Sequence, residues 1–432
     1  MTIDTAMTAA RRALAIAALS MTGACSLDLE NPNAPTGTEV ITNADGVLSV
    51  TVGMQAQFAQ TIEDYMVTNS LITDEWGTLA IALVSYISLF TGENFDDSYL
   101  VVESPFANSY QVIRSANTVL AGADQVPLGA ATTAGVRATA KLFKAMALGF
   151  LIQQYEAVPV DVIEGGGVPA QRDEVLDTVL VLLERARADI ETVTDADLTS
   201  FASRALAAGF DLRNTINAML ARYYLMDGQY DAAITAADRV NLAVLSVLEY
   251  PAPTRNPIEN LAFQLRYVGG LQSFANAAEP GDRRPAYWLD LAASPLAANP
   301  PDSVIKPLLR YSQPNDPFPV YLPDEMKLIK AEAYARLGQF APAATLVNEV
   351  RTQSSSPVAE PVAGLPSLPA TALDTEAELL AQIAYERRYE LYMQGLRWED
   401  TRRFGPTLTT VPTFDFLPLP NTECTTNPGA GC

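Results

Sequence analysis

The densest chemistry in this sequence lies at residues 386–405, which read ERRYELYMQGLRWEDTRRFG. Arg387, Arg388, Arg397, Arg402 and Arg403 are interleaved with Glu386, Glu390, Glu399 and Asp400, with Tyr389, Tyr392 and Trp398 between them. Such a run can serve catalysis, hold a nucleic acid, or lock helices together. The whole chain weighs against the first two. With 50 acidic against 28 basic residues, its net charge of -22 repels phosphate backbones, so no nucleic-acid partner is expected. It contains no histidine, which removes Ser/His/Asp and Cys/His nucleophiles and most transition-metal sites. Neither a G-x-S-x-G nor a G-x-x-x-x-G-K-[ST] motif is present, and no cofactor or metal is expected. The acidic turn at Glu93, Asp96 and Asp97 lacks the spacing of a calcium loop.

The elements that must position these residues are helical. Apolar and alanine positions recur at three- and four-residue spacing over 136–155, 174–193, 213–225 and 375–393. ARYYLMDGQYDAA (221–233) and AEAYARLGQFAPA (331–343) repeat at a constant offset, pairing Gly228 with Gly338 and Tyr230 with Phe340. Each reads as a tetratricopeptide-like hairpin: alanines for close approach, glycine to end the first helix, an aromatic to plug the gap. A vaguer copy lies around Lys141 to Tyr155. The expected fold is mainly α, a helix-hairpin scaffold with irregular loop-rich insertions at about 46–109 and 250–319, in one domain over 46–432. Within 375–393, Arg387 falls on the apolar stripe with Leu380, Ile383, Ala384 and Leu391. It must therefore be paired, with Glu390, Glu399 or Asp400 in reach. Glu386, Arg387, Glu390, Arg397 and Asp400 are thus expected to form a structural charge network.

At the N-terminus, Arg11 and Arg12 precede a short apolar run that ends at Thr22-Gly23-Ala24-Cys25. This resembles the lipobox of bacterial lipoproteins, with residues 1–24 as signal peptide, Cys25 lipidated, and 25–45 as a tether. Removing 1–24 leaves 26 basic and 49 acidic residues, a net of -23. In an oxidising compartment Cys424 and Cys432 could close a disulfide; the alternative is two unpaired thiols at a frayed end.

The lipobox with LDLENPNAP behind it, RATAKLFKAMALGFLIQQYEAVPV (137–160), the two hairpins, ERRYELYMQGLRWEDTRRFG and the closing FLPLPNTECTTNPG run in the order of one family. The sequence resembles the SusD/RagB-like outer-membrane nutrient-uptake lipoproteins. Glu156 stands where that family often has glycine, and Gln394 where it often has glutamate; both fall in scaffold segments. The resemblance implies a non-enzymatic, lipid-anchored protein of the bacterial outer membrane, exposed at the cell surface. It would capture an oligosaccharide or peptide and deliver it to a SusC-like TonB-dependent β-barrel transporter. The other classes to weigh are an exported carbohydrate-active hydrolase and a helical-repeat adaptor.

A sugar-binding face needs aromatic rings with amides and carboxylates beside them. The insertions offer Trp76, flanked by Asp74 and Glu75, and Tyr287-Trp288, with Asp290 alongside. These are the expected ligand-binding residues, against the alternative that both tryptophans are buried among the helices.

Overall fold

A computed structural model of the chain describes residues 41–162, 166–408 and 412–432. Cys25 and the signal segment lie outside the described residues. Ile41–Cys432 forms one compact unit, and none of its described helices is long and apolar enough to cross a membrane.

The scaffold is built of antiparallel helix pairs. Ala44–Ile72 packs on Leu100–Gln125, which packs on Ala130–Gln154, and the last of these packs on Arg172–Glu191. The two repeats predicted from sequence form hairpins, Leu212–Met226 with Tyr230–Ala237 and Pro323–Arg336 with Phe340–Thr352. Gly228 and Gly338 end their first helices at φ +72° and +73°, the left-handed region where a side chain would be strained. Ala221, Ala233, Ala331 and Ala343 are fully buried between the paired helices.

The first insertion differs from expectation. A 29-residue helix, Ala44–Ile72, fills its first half, capped by Asn43 Oδ1 accepting from the Gly46 amide at 2.9 Å. The helix therefore begins inside the stretch read as tether. Its face is not a clean apolar stripe because it is covered on several sides, burying Thr51, Gln55, Thr68 and Asn69 along with Phe58 and Met66. Only residues 73–99 are loop-rich. They are tied to the second insertion by a three-stranded antiparallel sheet in which Val268–Leu271 pairs with both Trp76–Thr78 and Ile305–Lys306. A Cβ on Gly270 would meet Leu289 Cδ2 at 2.2 Å, so only glycine lets that strand lie so close to Leu289.

Residues 386–405 form the junction of all these parts. Helix Glu376–Glu390 ends there and Arg397–Phe404 turns back from it, with Met393 and Gly395 at positive φ between them. Arg387 pairs with Asp400, its Nε 3.0 Å from both carboxylate oxygens and Nη2 2.9 Å from Oδ1. Arg403 bridges Asp400 (2.8 Å) to Glu332 on the second hairpin (3.0 Å). Glu399 accepts from Arg172 (2.8 Å) and Arg402 (3.1 Å), and Glu386 faces Arg284 (2.7 Å) and Arg351 (3.3 Å). Arg397 is buried, and burial pulls its ionisation down to about 10 against the pull of Asp400. Glu390 pairs not with Arg387 but faces Arg284, 3.5 Å away.

The aromatics between these charges attach the insertions. The Tyr392 hydroxyl donates to the Glu75 carbonyl (2.9 Å) and that of Tyr389 to the Phe274 carbonyl (3.1 Å). Trp288 Nε1 donates to the Tyr389 carbonyl (2.9 Å). Arg387→Ala would leave the buried Asp400 with Arg403 alone, at a cost of up to about 3–5 kcal/mol, and is expected to abolish soluble protein or lower its denaturation midpoint accordingly. A midpoint within experimental error of the parent would contradict this.

Two buried carboxylates titrate in opposite senses. Burial alone would raise Asp400, but Arg387 and Arg403 outweigh it and hold the group below its ordinary value. Its stabilisation is present above the unfolded pKa and is lost as pH falls through the folded one. Glu75 is pushed up to about 7, mainly by burial. That contribution is complete below the unfolded pKa and is lost as pH rises through about 7. Thermal melts from pH 8 to pH 3 are expected to peak at roughly pH 5. A melting temperature that keeps rising to pH 8 contradicts the assignment.

Candidate functional site

The structure sends the predicted aromatics to different environments. Trp76 is 0% exposed and Trp288 1% exposed, so neither ring offers a face to a ligand. Both insertions are pulled onto the end of the 376–390 helix, and the indoles close the seam between them: Tyr392 holds Glu75 and also packs 5.9 Å from the Trp288 ring. Reading the tryptophans as stacking platforms is therefore corrected. Asp74 is exposed, at φ +56° in the turn after the first helix. Asp290 is half-buried and accepts from the Ala293 amide at 3.1 Å, capping its own turn.

Tyr287 is different. It is half-buried, edge-on to Trp288 at 4.8 Å, and lines a cleft of about 390 Å³ with Arg310, Tyr311, Gln313 and Asp316. The Arg310 guanidinium lies 4.3 Å above the Tyr287 ring and makes no hydrogen bond among the described residues. Burial pushes the Tyr287 phenol upward and Arg310 pulls it back. Tyr311 forms the inner wall at φ +55°, an uncommon conformation for an aromatic residue. Its hydroxyl accepts from Gln394 Nε2 at 3.3 Å, so a residue assigned to the scaffold supports the cleft wall. The Gln313 side chain is exposed, while Asp316 Oδ2 accepts from the Gln313 amide at 2.9 Å. Guanidinium, amide, phenol and carboxylate together can bracket a polyhydroxylated ligand. The signal for Arg310, Tyr311, Gln313 and Asp316 was present as RYSQPND, a polar and aromatic run inside the second insertion, but no periodicity singles it out.

A larger cleft of about 750 Å³ lies between the 100–125 helix and the C-terminal tail. Its polar groups are mostly engaged already. Tyr110 donates to the Pro159 carbonyl, and Asp161 accepts from Lys144 (2.8 Å) and Asn117 (2.6 Å). The tail along it carries a Cys424–Cys432 disulfide with Cα atoms 5.7 Å apart, and Asn427 donates to the Gly167 carbonyl at 2.7 Å. In the larger cleft the Gln111 and Arg114 side chains keep free hydrogen-bonding capacity; the smaller cleft adds a phenol and a guanidinium stacked on it, Tyr287 and Arg310.

The sequence model of the SusD family matches residues 312–429. The C-terminal part of this chain is similar to that family, and its fold is SusD-like. The match spans the second hairpin, the 386–405 junction and the tail, and leaves Tyr287, Arg310 and Tyr311 outside it. Solved SusD-type structures share the whole fold. A SusD-like carbohydrate-binding protein from Bacteroides vulgatus is 15% identical, with 90% of this chain and 98% of that one covered at a TM-score of 0.68. NanU from B. fragilis is 15% identical, covering 92% and 98% at a TM-score of 0.65. A laminarin-binding SusD-like protein is 16% identical, covering 88% and 99% at 0.61. No curated protein matches the chain. In this SusD-like fold the cleft straddles the edge of the match: Tyr287, Arg310 and Tyr311 precede it, while Gln313 and Asp316 fall within its first residues.

The two neighbouring aromatics are expected to separate in experiment. Trp288→Ala removes a fully buried indole and should cost about 3–5 kcal/mol in chemical denaturation, whereas Tyr287→Ala should cost under about 1.5 kcal/mol. Equal losses would place Tyr287 in the core.

Proposed function

We propose that this protein is a cell-surface lipoprotein that captures an oligosaccharide in the Tyr287–Arg310–Gln313–Asp316 cleft and delivers it to a TonB-dependent β-barrel transporter. The observation that carries the binding part is the cleft itself: the unpaired Arg310 guanidinium, the Tyr287 phenol and the Gln313 amide on one wall of the second insertion. The carbohydrate- and laminarin-binding proteins that share the fold support the ligand class. Residues 1–25 support export and a lipid anchor through Cys25. Transfer to a SusC-like barrel rests on the family resemblance alone.

Binding is favoured over hydrolysis by the carboxylate count. Glycoside hydrolysis commonly uses two carboxyl groups across the scissile bond, roughly 5–9.5 Å apart. Asp316 is the one carboxylate among the described residues lining this cleft, and its Oδ2 is committed to a backbone amide. The net charge of -22 disfavours polyanionic chains, which leaves neutral glycans as the first panel to screen.

Affinity electrophoresis against neutral polysaccharides is expected to retard the protein without release of reducing ends, and Tyr287→Ala should weaken retention at least about tenfold. Release of reducing ends would overturn the reading in favour of a hydrolase. Co-purification with a soluble partner instead of a β-barrel would favour an adaptor.

A further inference from the structure

Away from this cleft, three carboxylates from three separate elements converge beneath the second hairpin. Asp324 stands in the first turn of Pro323–Arg336, Glu390 at the end of Glu376–Glu390, and Glu360 in the Ser/Pro-rich connection between 353 and 369. They are 1%, 0% and 7% exposed. One oxygen from each lies within 4.8 Å of the other two. That is the span allowed to oxygens sharing one calcium ion, since two ligands at about 2.4 Å can stand at most about 4.8 Å apart.

Their own neighbours do not neutralise them. Glu390 accepts no hydrogen bond at either carboxylate oxygen. Its nearest cation, Arg284, is 3.5 Å off and already committed to Asp282 (2.8 Å) and Glu386 (2.7 Å). Asp324 Oδ1 faces Lys327 Nζ at 2.6 Å, but its Oδ2 accepts nothing. On Glu360, one oxygen takes Gln353 and Ser356, while the other has only a 3.4 Å contact from the Asp324 amide. The cations of this network are Arg284, Lys327 and Arg351. Against them stand Asp282, Glu279, Asp324, Glu360, Glu386 and Glu390, with the exposed Glu349 acting on Asp324 from outside. Three positive charges thus face six negative ones within largely buried surroundings, where uncompensated charge is costly. Burial first, and the Asp324 charge second, push Glu360 up to about 7 and raise Glu390, while burial raises Asp324 against the opposing pull of Lys327 and Arg284.

There is also a route in. Asp324 and Glu360 line an open surface cleft of about 540 Å³, with Lys327 and Gln353 at its sides. An all-oxygen, carboxylate-rich donor set suits a hard divalent cation and not a thiolate- or imidazole-seeking metal.

We propose that Asp324, Glu360 and Glu390 form a binding site for a divalent cation, best matched to Ca²⁺, which ties the 353–369 connection to the two helices beneath it. The site is separate from the glycan cleft and its existence does not depend on that function.

The test titrates CaCl₂ and MgCl₂ into the EDTA-stripped full chain by calorimetry, with thermal melts in parallel. One Ca²⁺ per chain, preferred over Mg²⁺, with a melting temperature raised by calcium, is the expected result. Glu360→Gln should weaken calcium binding at least tenfold, yet melt at or above the parent when both are stripped, because one buried charge is gone. Asp324→Asn should behave alike and serves if Glu360→Gln yields no folded protein. Asp96→Asn in the exposed acidic turn should leave binding unchanged. Absence of both heat and a melting shift at millimolar calcium would overturn the proposal. So would parental calcium affinity in both Glu360→Gln and Asp324→Asn.

Discussion

A carboxylate held between two guanidiniums, Asp400 between Arg387 and Arg403, is the interaction on which the rest of the structure depends. None of the three reaches solvent freely, so each makes the burial of the others tolerable. Arg403 carries the link on to Glu332 of the second hairpin, and Glu399 extends it to Arg172 at the start of another helix. Helices from distant parts of the sequence are thereby fixed at one angle, with a geometric precision that apolar packing alone does not impose. The cost of desolvating so many ions argues that their value lies in specifying this arrangement more than in raw stability.

The same segment positions the two insertions. Tyr389, Trp288 and Tyr392 fasten both insertions to the end of one helix by hydrogen bonds to backbone carbonyls. The two tyrosines depend only on the path of the insertion backbone at Phe274 and Glu75, whereas the third contact requires the insertion's own Trp288 side chain. Gln394 then supports Tyr311 from below, passing the rigidity of the scaffold to the cleft wall. A face on such a base can be preorganised for a ligand, which lowers the ordering cost of binding.

How much of this could be read from the sequence follows from where periodic signals exist. The hairpins were legible because alanine, glycine and an aromatic recur at fixed offsets, and each residue type answers a backbone need. Arg387 was legible as a paired core arginine because it interrupts an apolar stripe; its partner Asp400 was one of three in reach. The 44–72 helix was obscured because burial on several sides leaves no single apolar face. Trp76 and Trp288 were misread for a related reason: residence in an irregular insertion says nothing about exposure when the insertion itself is folded onto the core. Arg310, Tyr311, Gln313 and Asp316 carry no periodicity, and only the tertiary path of the 309–317 segment brings them beside Tyr287.

The central claim is that the scaffold stays fixed while the second insertion meets the ligand. Hydrogen exchange of the full chain, with and without the neutral oligosaccharide that best retains it, tests this most directly. Added protection is predicted at 286–289 and 309–317, with the two hairpins and residues 386–405 unchanged. Protection confined to the cleft around Tyr110 and Asn427, or spread through the hairpins, would contradict the account.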